Sequence, residues 1–265
     1  MATRNMNDWQ TAICQVISND EEERIIVRDH DLDDLIGSIS FSAMMFLMLQ
    51  GHLPTDAQTR VLDALMVGSM EHGIAPPSMI ARCHASYGTP IPTAIAAGVS
   101  AFGERMGGLG EKLAKLMVER LADLPLDAEP DDSTLRARAK AVVADIARQG
   151  GRVPGYGIPL HGRDPRAPKI LEIARQEGTY LRYCRFADAL EAELTAARGG
   201  RAVPMNLDGV GGAIILDLGF DWRSTQMFLL TPRTVSFGTH YLEEQDQDST
   251  WRHIPADQID YLGRR

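Results

Sequence analysis

The feature that most constrains this chain is the spacing of its apolar residues. From residue 40 onward they fall into helix-length segments closed by glycine or proline, with almost no period-two alternation. Ser40 stands where it can cap FSAMMFLMLQ, which stops at Gly51 and is apolar all the way round, as a buried helix is. Thr55 opens a capping box with Gln58 as its reciprocal partner; Val61, Leu62, Leu65 and Met66 follow at helical spacing, and Gly73 ends the element. Thr93 to Arg105 is dense in Ala, Gly and Ser. Its backbone can be approached closely, so it is expected at the centre of the fold or at a subunit contact. Leu109, Leu113, Leu116, Met117 and Leu121 form an amphipathic stripe, and Leu124–Ser133, with two prolines and four acids, reads as a linker. A helix from about Ser133 to Gln149 is terminated by Gly150-Gly151, and Arg152–Ala167 is irregular. Further helices are expected near Ala167–Glu177, Tyr180–Arg198, Leu207–Leu218, Trp222–Leu230 and Pro232–Gln247, before an irregular tail. Only Glu23–Arg28 has strand character, and no Asn-Gly hairpin is visible. The expected fold class is all-α.

Composition narrows the function classes. The 265 residues carry a net charge of −9, so a non-specific binder of nucleic acid or of anionic membrane, which needs a cationic footprint, is not expected. Lysine occurs only at 112, 115, 140 and 169, so 23 of the 27 basic residues are arginine, the side chain that forks two donors onto a carboxylate or phosphate. A GC-rich genome is the plain cause of that bias. Three scattered cysteines, Cys14, Cys83 and Cys184, fit neither a disulfide scaffold nor a structural zinc site. The two uncharged stretches, Leu35–Thr55 and Cys83–Gly103, are each broken by Gly or Pro and read as buried helices. With no apolar h-region at the N-terminus, a cytoplasmic protein is expected.

Polar residues gather where helices break. His72-Gly73 closes the capped helix; Arg152–Ala167 places His161 near Asp164 and Arg166; Pro204–Asp208 puts an aspartate at the mouth of a helix; and Arg233 precedes His240 by two turns. Singly, each has an ordinary reading: a lone histidine is usually a surface or core hydrogen-bonder, and Asp208 could be an N-cap. No metal-ligand spacing, nucleophile elbow or P-loop is present.

Together, in their order and spacing from about Asp31 to Gly263, these segments resemble the citrate synthase family. The resemblance is carried by DLDDLIGSISFSAMMFLMLQGHLPT at 31–55, EHG at 71–73, the small-residue helix leading to Met106–Leu109, PGYGI at 154–158, DPR at 164–166, PMNLD at 204–208 and PRTVSFGTHYLEEQ at 232–245. Family synthases use a histidine in HGGA, a histidine after PGYG and the aspartate of NVD; here Met106 and Ile158 replace the two histidines and only Asp208 survives. The loss of the first has a precedent in the lyase module of ATP-citrate lyase, which NLDGVGGAIILDLG and RHIPADQIDYLG also resemble.

The resemblance implies a two-domain helical fold shortened at the N-terminus, with a large domain from 1–106 and 204–265 and a small one from 107–203. It implies a homodimer or higher oligomer whose sites borrow a residue from the partner, Arg252 being the natural candidate. Its substrates would be an acyl-CoA and a di- or tricarboxylate, with coenzyme A thioester as substrate and no tightly bound cofactor or metal. By the same resemblance Asp208 would move the α-proton. Arg166, Arg233 and Arg252 would grip carboxylates, and His72 and His240 would hydrogen-bond the carbonyl or hydroxyl. Val153, Pro154, Gly155, Tyr156, Gly157 and Ile158 would hold the CoA end, and His161 is the candidate for the absent second histidine. The implied activity is citryl-CoA-lyase-like cleavage of a 3-hydroxyacyl-CoA, or the reverse condensation. A divergent acyl-CoA lyase or decarboxylase, or an inactive CoA-binding scaffold subunit, are the alternatives.

Overall fold

The structure, a computed structural model, describes residues 9–103, 106–107, 110–125, 129–157, 164–247 and 250–264. It opens on a three-stranded antiparallel sheet, β1 (Cys14–Ser18), β2 (Glu23–Val27) and β3 (His30–Asp31), in the order β1-β2-β3. The sequence pattern anticipated only the middle strand. The hairpin closes without Asn-Gly because the Asn19 carboxamide oxygen accepts from the N–H groups of Glu21 and Glu22, while the Asn19 N–H donates to the Glu22 carbonyl. β1 is exposed along almost its whole length, so no buried face imposes the alternation that would have revealed it. The sheet is tied to the helical body by Arg28, whose Nε and Nη2 both donate to the Met48 carbonyl, at 3.0 and 2.7 Å.

The rest is helical: α1 (Leu32–Leu35), α2 (Phe41–Gln50), α3 (Asp56–Met70), α4 (Pro76–Ser86), α5 (Ile91–Ser100), α6 (Glu111–Leu121), α7 (Asp132–Arg148), α8 (Arg166–Gln176), α9 (Arg182–Ala197), α10 (Leu207–Asp217) and α11 (Met227–Asp246). Local chemistry sets many of these ends. The Ser40 hydroxyl accepts from the Ala43 N–H, Gly51 ends α2 in the left-handed region, and Thr55 and Gln58 exchange both bonds of the capping box. α5 is not at the centre. Only Ala94 and Gly98 are buried, and it packs on α4 and α11, where Gly98 leaves room for the Phe237 ring.

α11 also corrects the expected break at Pro232. The proline lies inside a single helix, at the loss of one backbone bond, because Phe228, Leu229, Pro232, Ser236, Phe237 and Tyr241 continue one buried face across it. Trp222–Ser224 is a separate 3-10 turn capped by Asp221.

The core is organised on α10. Val210, Ala213, Ile214 and Ile215 are fully buried, and the helix packs against α3, α6, α8 and α9. Its glycines let two other chain segments reach its backbone. A Cβ on Gly212 would stand 2.8 Å from the Gly110 carbonyl oxygen, and one on Gly209 would stand 2.4 Å from that of Gly155. The N-terminal turn of α10 is therefore held by direct backbone contact. Among the described residues, no helix is long and apolar enough to cross a membrane.

Candidate active site

Asn206 caps α10, its carboxamide oxygen accepting from the Gly209 N–H at 3.0 Å, and so places Asp208 on the first turn. The 153–157 loop is laid alongside. Asn206 N–H donates to the Gly155 carbonyl at 3.0 Å, Gly157 N–H donates to that of Pro204 at 2.7 Å, and the Asn206 side chain donates to the Gly157 carbonyl at 3.0 Å. Gly155 has φ +83° and its α-hydrogens face Gly209, so neither position has room for a side chain. The phenol of Tyr156 donates to the Ala187 carbonyl at 2.7 Å, and burial raises its pKa well above the ordinary value.

Asp164, 2% exposed, is the second organiser. One carboxylate oxygen accepts from the backbone N–H and Nε of Arg166, and the other from Arg166 Nη2 at 2.8 Å and from the Leu207 N–H at 3.2 Å. A single carboxylate thus locks the guanidinium of Arg166 to the start of the helix that carries Asp208. Although burial works against it, these hydrogen bonds and the charge of Arg166 hold Asp164 below the usual carboxylate range.

These elements enclose a cavity of about 480 Å³. Its charged and titratable groups are His72, Asp164, Arg166, Asp208 and Arg233; Phe102, Met106, Leu229 and Phe237 form an apolar wall. The Asp208 carboxylate makes no hydrogen bond with any described residue. Burial pushes its carboxyl up to about 6 against the pull of Arg166, with Asp164 adding to the rise and Arg233 opposing it. Arg233, 7% exposed, has a buried Nε with no hydrogen-bond partner and no ion pair among the described residues. Burial lowers its pKa against the attraction of Glu71 and Asp208. A guanidinium stripped of water and left unpaired costs stability, and an anionic ligand would remove that cost.

The family model for the citrate synthase C-terminal domain matches residues 56–254. The chain belongs to the citrate synthase family. Citryl-CoA lyase from Hydrogenobacter thermophilus superposes with a TM-score of 0.85 at 30% identity, over 97% of this chain and 95% of that one. ATP citrate lyase from Methanothrix soehngenii, solved with citrate and coenzyme A, gives 0.77 at 17% identity, over 99% of this chain and 43% of that one. A relative from Mycobacterium tuberculosis, itself named as a citrate synthase, is 27% identical over 201 residues, covering 72% of this chain and 49% of its own. The chain spans about half the length of the curated relatives it matches.

Against this family pattern, the structure brings Asp208, Arg166, Arg233 and His72 to one cavity. Met106, standing where the HGGA motif has histidine, is part of the apolar wall. Val153, Tyr156 and Gly157 line a neighbouring cavity of about 660 Å³ between the ends of α7 and α9, with Arg152 and Arg198. Gly157 borders both cavities, and Pro154 and Gly155 complete the loop between them.

His240 and Arg252 lie elsewhere. His240 sits between Arg82 and Glu71, with Nδ1 3.2 Å from Arg82 Nη1 and Nε2 3.3 Å from Glu71 Oε2. Arg252 is held by both oxygens of Glu244, at 2.6 and 3.0 Å. Ile158 and His161 lie outside the described residues. Sequence reasoning missed Asp164 and Asn206 as organisers. Their signals were present, since each stands at a helix start inside a quoted motif, but the hydrogen bonds between separate segments cannot be read from spacing.

Proposed function

We propose that this chain performs citryl-CoA-lyase-type chemistry: cleavage of a 3-hydroxyacyl-CoA of the citryl-CoA kind to an acyl-CoA and a 2-oxo acid, or the reverse condensation. The observation that carries the reading is the Asp208 carboxyl, raised to about 6, sharing one cavity with the buried guanidinium of Arg233, neither side chain having a hydrogen-bond or ion-pair partner among the described residues. The likeness to citryl-CoA lyase, which extends over nearly the whole of both chains, supports it.

In this reading Arg166 and Arg233 grip the carboxylates, and His72 hydrogen-bonds the oxygen on the carbinol carbon. Cleavage breaks the bond between that carbon and the thioester α-carbon, and the electron pair passes into the thioester enolate. The carbinol oxygen gives up its proton as it becomes the carbonyl of the 2-oxo acid, and His161 is the proposed acceptor. Asp208 in its protonated form delivers a proton to the enolate carbon; in the condensation direction its carboxylate removes one. A carboxyl poised near neutrality can serve both directions, where an ordinary aspartate would be a poor acid at neutral pH. The thioester's nucleotide end is assigned to the cavity beyond Gly157, where Arg152 and Arg198 offer donors to phosphate. We further assign residues 107–203 to a smaller lobe that closes over substrate, in a homodimer or higher oligomer.

The test is thioester turnover with citryl-CoA, and with acetyl-CoA plus oxaloacetate, in wild type and Asp208→Asn. Loss of about 10²–10⁴ in kcat is expected for removing the proton-transfer group. Undiminished turnover in Asp208→Asn overturns the mechanism. Absence of turnover with a broad acyl-CoA panel, with CoA still bound, favours the inactive scaffold.

A further inference from the structure

We infer that Glu71 is a positioning residue that fixes His72 and helix α11 in one frame around the cavity; this rests on His72 and Arg233 being the substrate-binding groups proposed above. After Met70 the chain leaves α3, and Glu71 is extended, with φ −136° and ψ 147°. Its carboxylate folds back onto the turn it begins. Oε1 accepts from the N–H groups of His72, at 2.7 Å, and Gly73, at 2.6 Å. Oε2 accepts from the Ser236 hydroxyl on α11 at 2.5 Å.

The same carboxylate also meets His240. Arg82 Nη1 can only donate, so its approach to His240 Nδ1 makes that nitrogen the acceptor and leaves the hydrogen on Nε2, directed at Glu71. Arg82 is in turn anchored by Glu243, Glu244 and Gln247. Ser236 and His240 follow Arg233 by three and seven residues, on one face of the helix. One side chain therefore couples the turn bearing His72 to the helix bearing Arg233, and its charge is the largest attraction on Arg233.

The far end of the turn is pinned separately. The Ser78 hydroxyl donates to the Gly73 carbonyl at 2.8 Å and accepts from the Ala75 N–H at 2.9 Å. Glu71 itself is half exposed and packs into no core. These contacts suit control of orientation. Burial alone would raise its pKa, but the bonds from Ser236, the His72 N–H and His240 outweigh this and keep Glu71 ionised below the usual carboxylate range.

The test uses the full chain with Glu71→Ala, Glu71→Gln, His72→Ala and the double variant Glu71→Ala/His72→Ala. Calorimetry with oxaloacetate and with citrate should show binding weakened about tenfold in Glu71→Ala, with partial recovery in Glu71→Gln. The KM for acyl-CoA should stay unchanged, and thermal midpoints should stay near wild type. In the His72→Ala background the further change Glu71→Ala should cost much less, because both act on the same contact. A penalty of equal size with and without His72, or an equal rise in both KM values, overturns the inference.

Amide hydrogen exchange of the ligand-free protein is read alongside, and needs no substrate. Glu71→Ala should speed exchange at His72 and Gly73, while unchanged exchange overturns the positioning role by itself. If wild type binds neither carboxylate, the reading of the cavity falls, and the exchange result still decides the part played by Glu71.

Discussion

Two clusters of charge share helix α11, about three turns apart, and are built in opposite ways. Toward its C-terminal end Arg82, 5% exposed, donates to Glu243, Glu244 and Gln247, and Glu244 also accepts from Arg252. Toward its N-terminal end Arg233, almost as deeply buried, has no acceptor for Nε among the described residues and shares a cavity with Asp208, whose carboxylate has no donor among them. Both clusters consist of arginine and acid. The first closes on itself and ties the 250–264 tail and α4 to α11. The second leaves charge unsatisfied beside a cavity, as a binding site does when its ligand supplies the missing partner.

That contrast can be broken most directly by treating the two arginines alike. Arg82→Met takes one of its guanidinium partners from the fully buried Glu244, and should cost about 3–5 kcal/mol of stability by urea titration. Arg233→Met removes a guanidinium that makes no hydrogen bond or ion pair among the described residues, so its urea midpoint should hold or rise while carboxylate binding is lost. Equal destabilisation by the two would show that the clusters are alike after all.

A second comparison sharpens how the cavity side is held, by backbone shape in place of ion pairs. A methyl group at Gly209 meets the Gly155 carbonyl oxygen at 2.4 Å, whereas one at Gly211 finds only Leu65 Cδ1 at 3.7 Å. Gly209→Ala should therefore destabilise by about 3 kcal/mol and displace the 153–157 loop. Gly211→Ala, in the same helix, should be stabilising by about 0.5–1 kcal/mol. Thermal midpoints moving in the same direction would refute the close-contact account.

A last effect concerns pH. Asp208 is raised to about 6 in the fold from an ordinary 3.8, so its ionised form is the disfavoured one. Its contribution to stability is present below about pH 4 and is lost as pH climbs through 6. Asp208→Asn should thus match wild type near pH 4 and exceed it by about 3 kcal/mol near pH 7.5 in urea titrations at the two pH values. Parallel curves would mean that the carboxyl is not buried at a cost.

Much of the helical framework was legible in the chain. Ser40, Gly51, Thr55 and Gln58 do in the structure what their local chemistry allows, because caps involve residues within four positions of one another. The stripe of Leu113, Met117 and Leu121 faces the core for the same short-range reason. Reading failed where a distant surface overruled a local signal. Pro232 should end a helix, but a buried face on either side of it continues; the β1 strand lacks alternation, because it has no buried face to display.

The site divides along the same line. The sequence by itself determined which side chains have the chemistry for carboxylates and proton transfer, since Asp208, Arg166, Arg233 and His72 stand in recognisable motifs. It also determined that glycine occupies 155 and 209, without which the loop and helix could not touch. Only the tertiary structure decided which charges would be paired and which left open. Arg233, Arg252 and His240 look equivalent as a string of residues. The packing of α4 and the tail on α11 quenches the last two with Glu244, Arg82 and Glu71, and leaves the first facing Asp208. The physical reason is that a buried charge is defined by its neighbours within a few ångströms, and those neighbours come from segments up to 169 residues away along the chain, beyond the range of any local pattern.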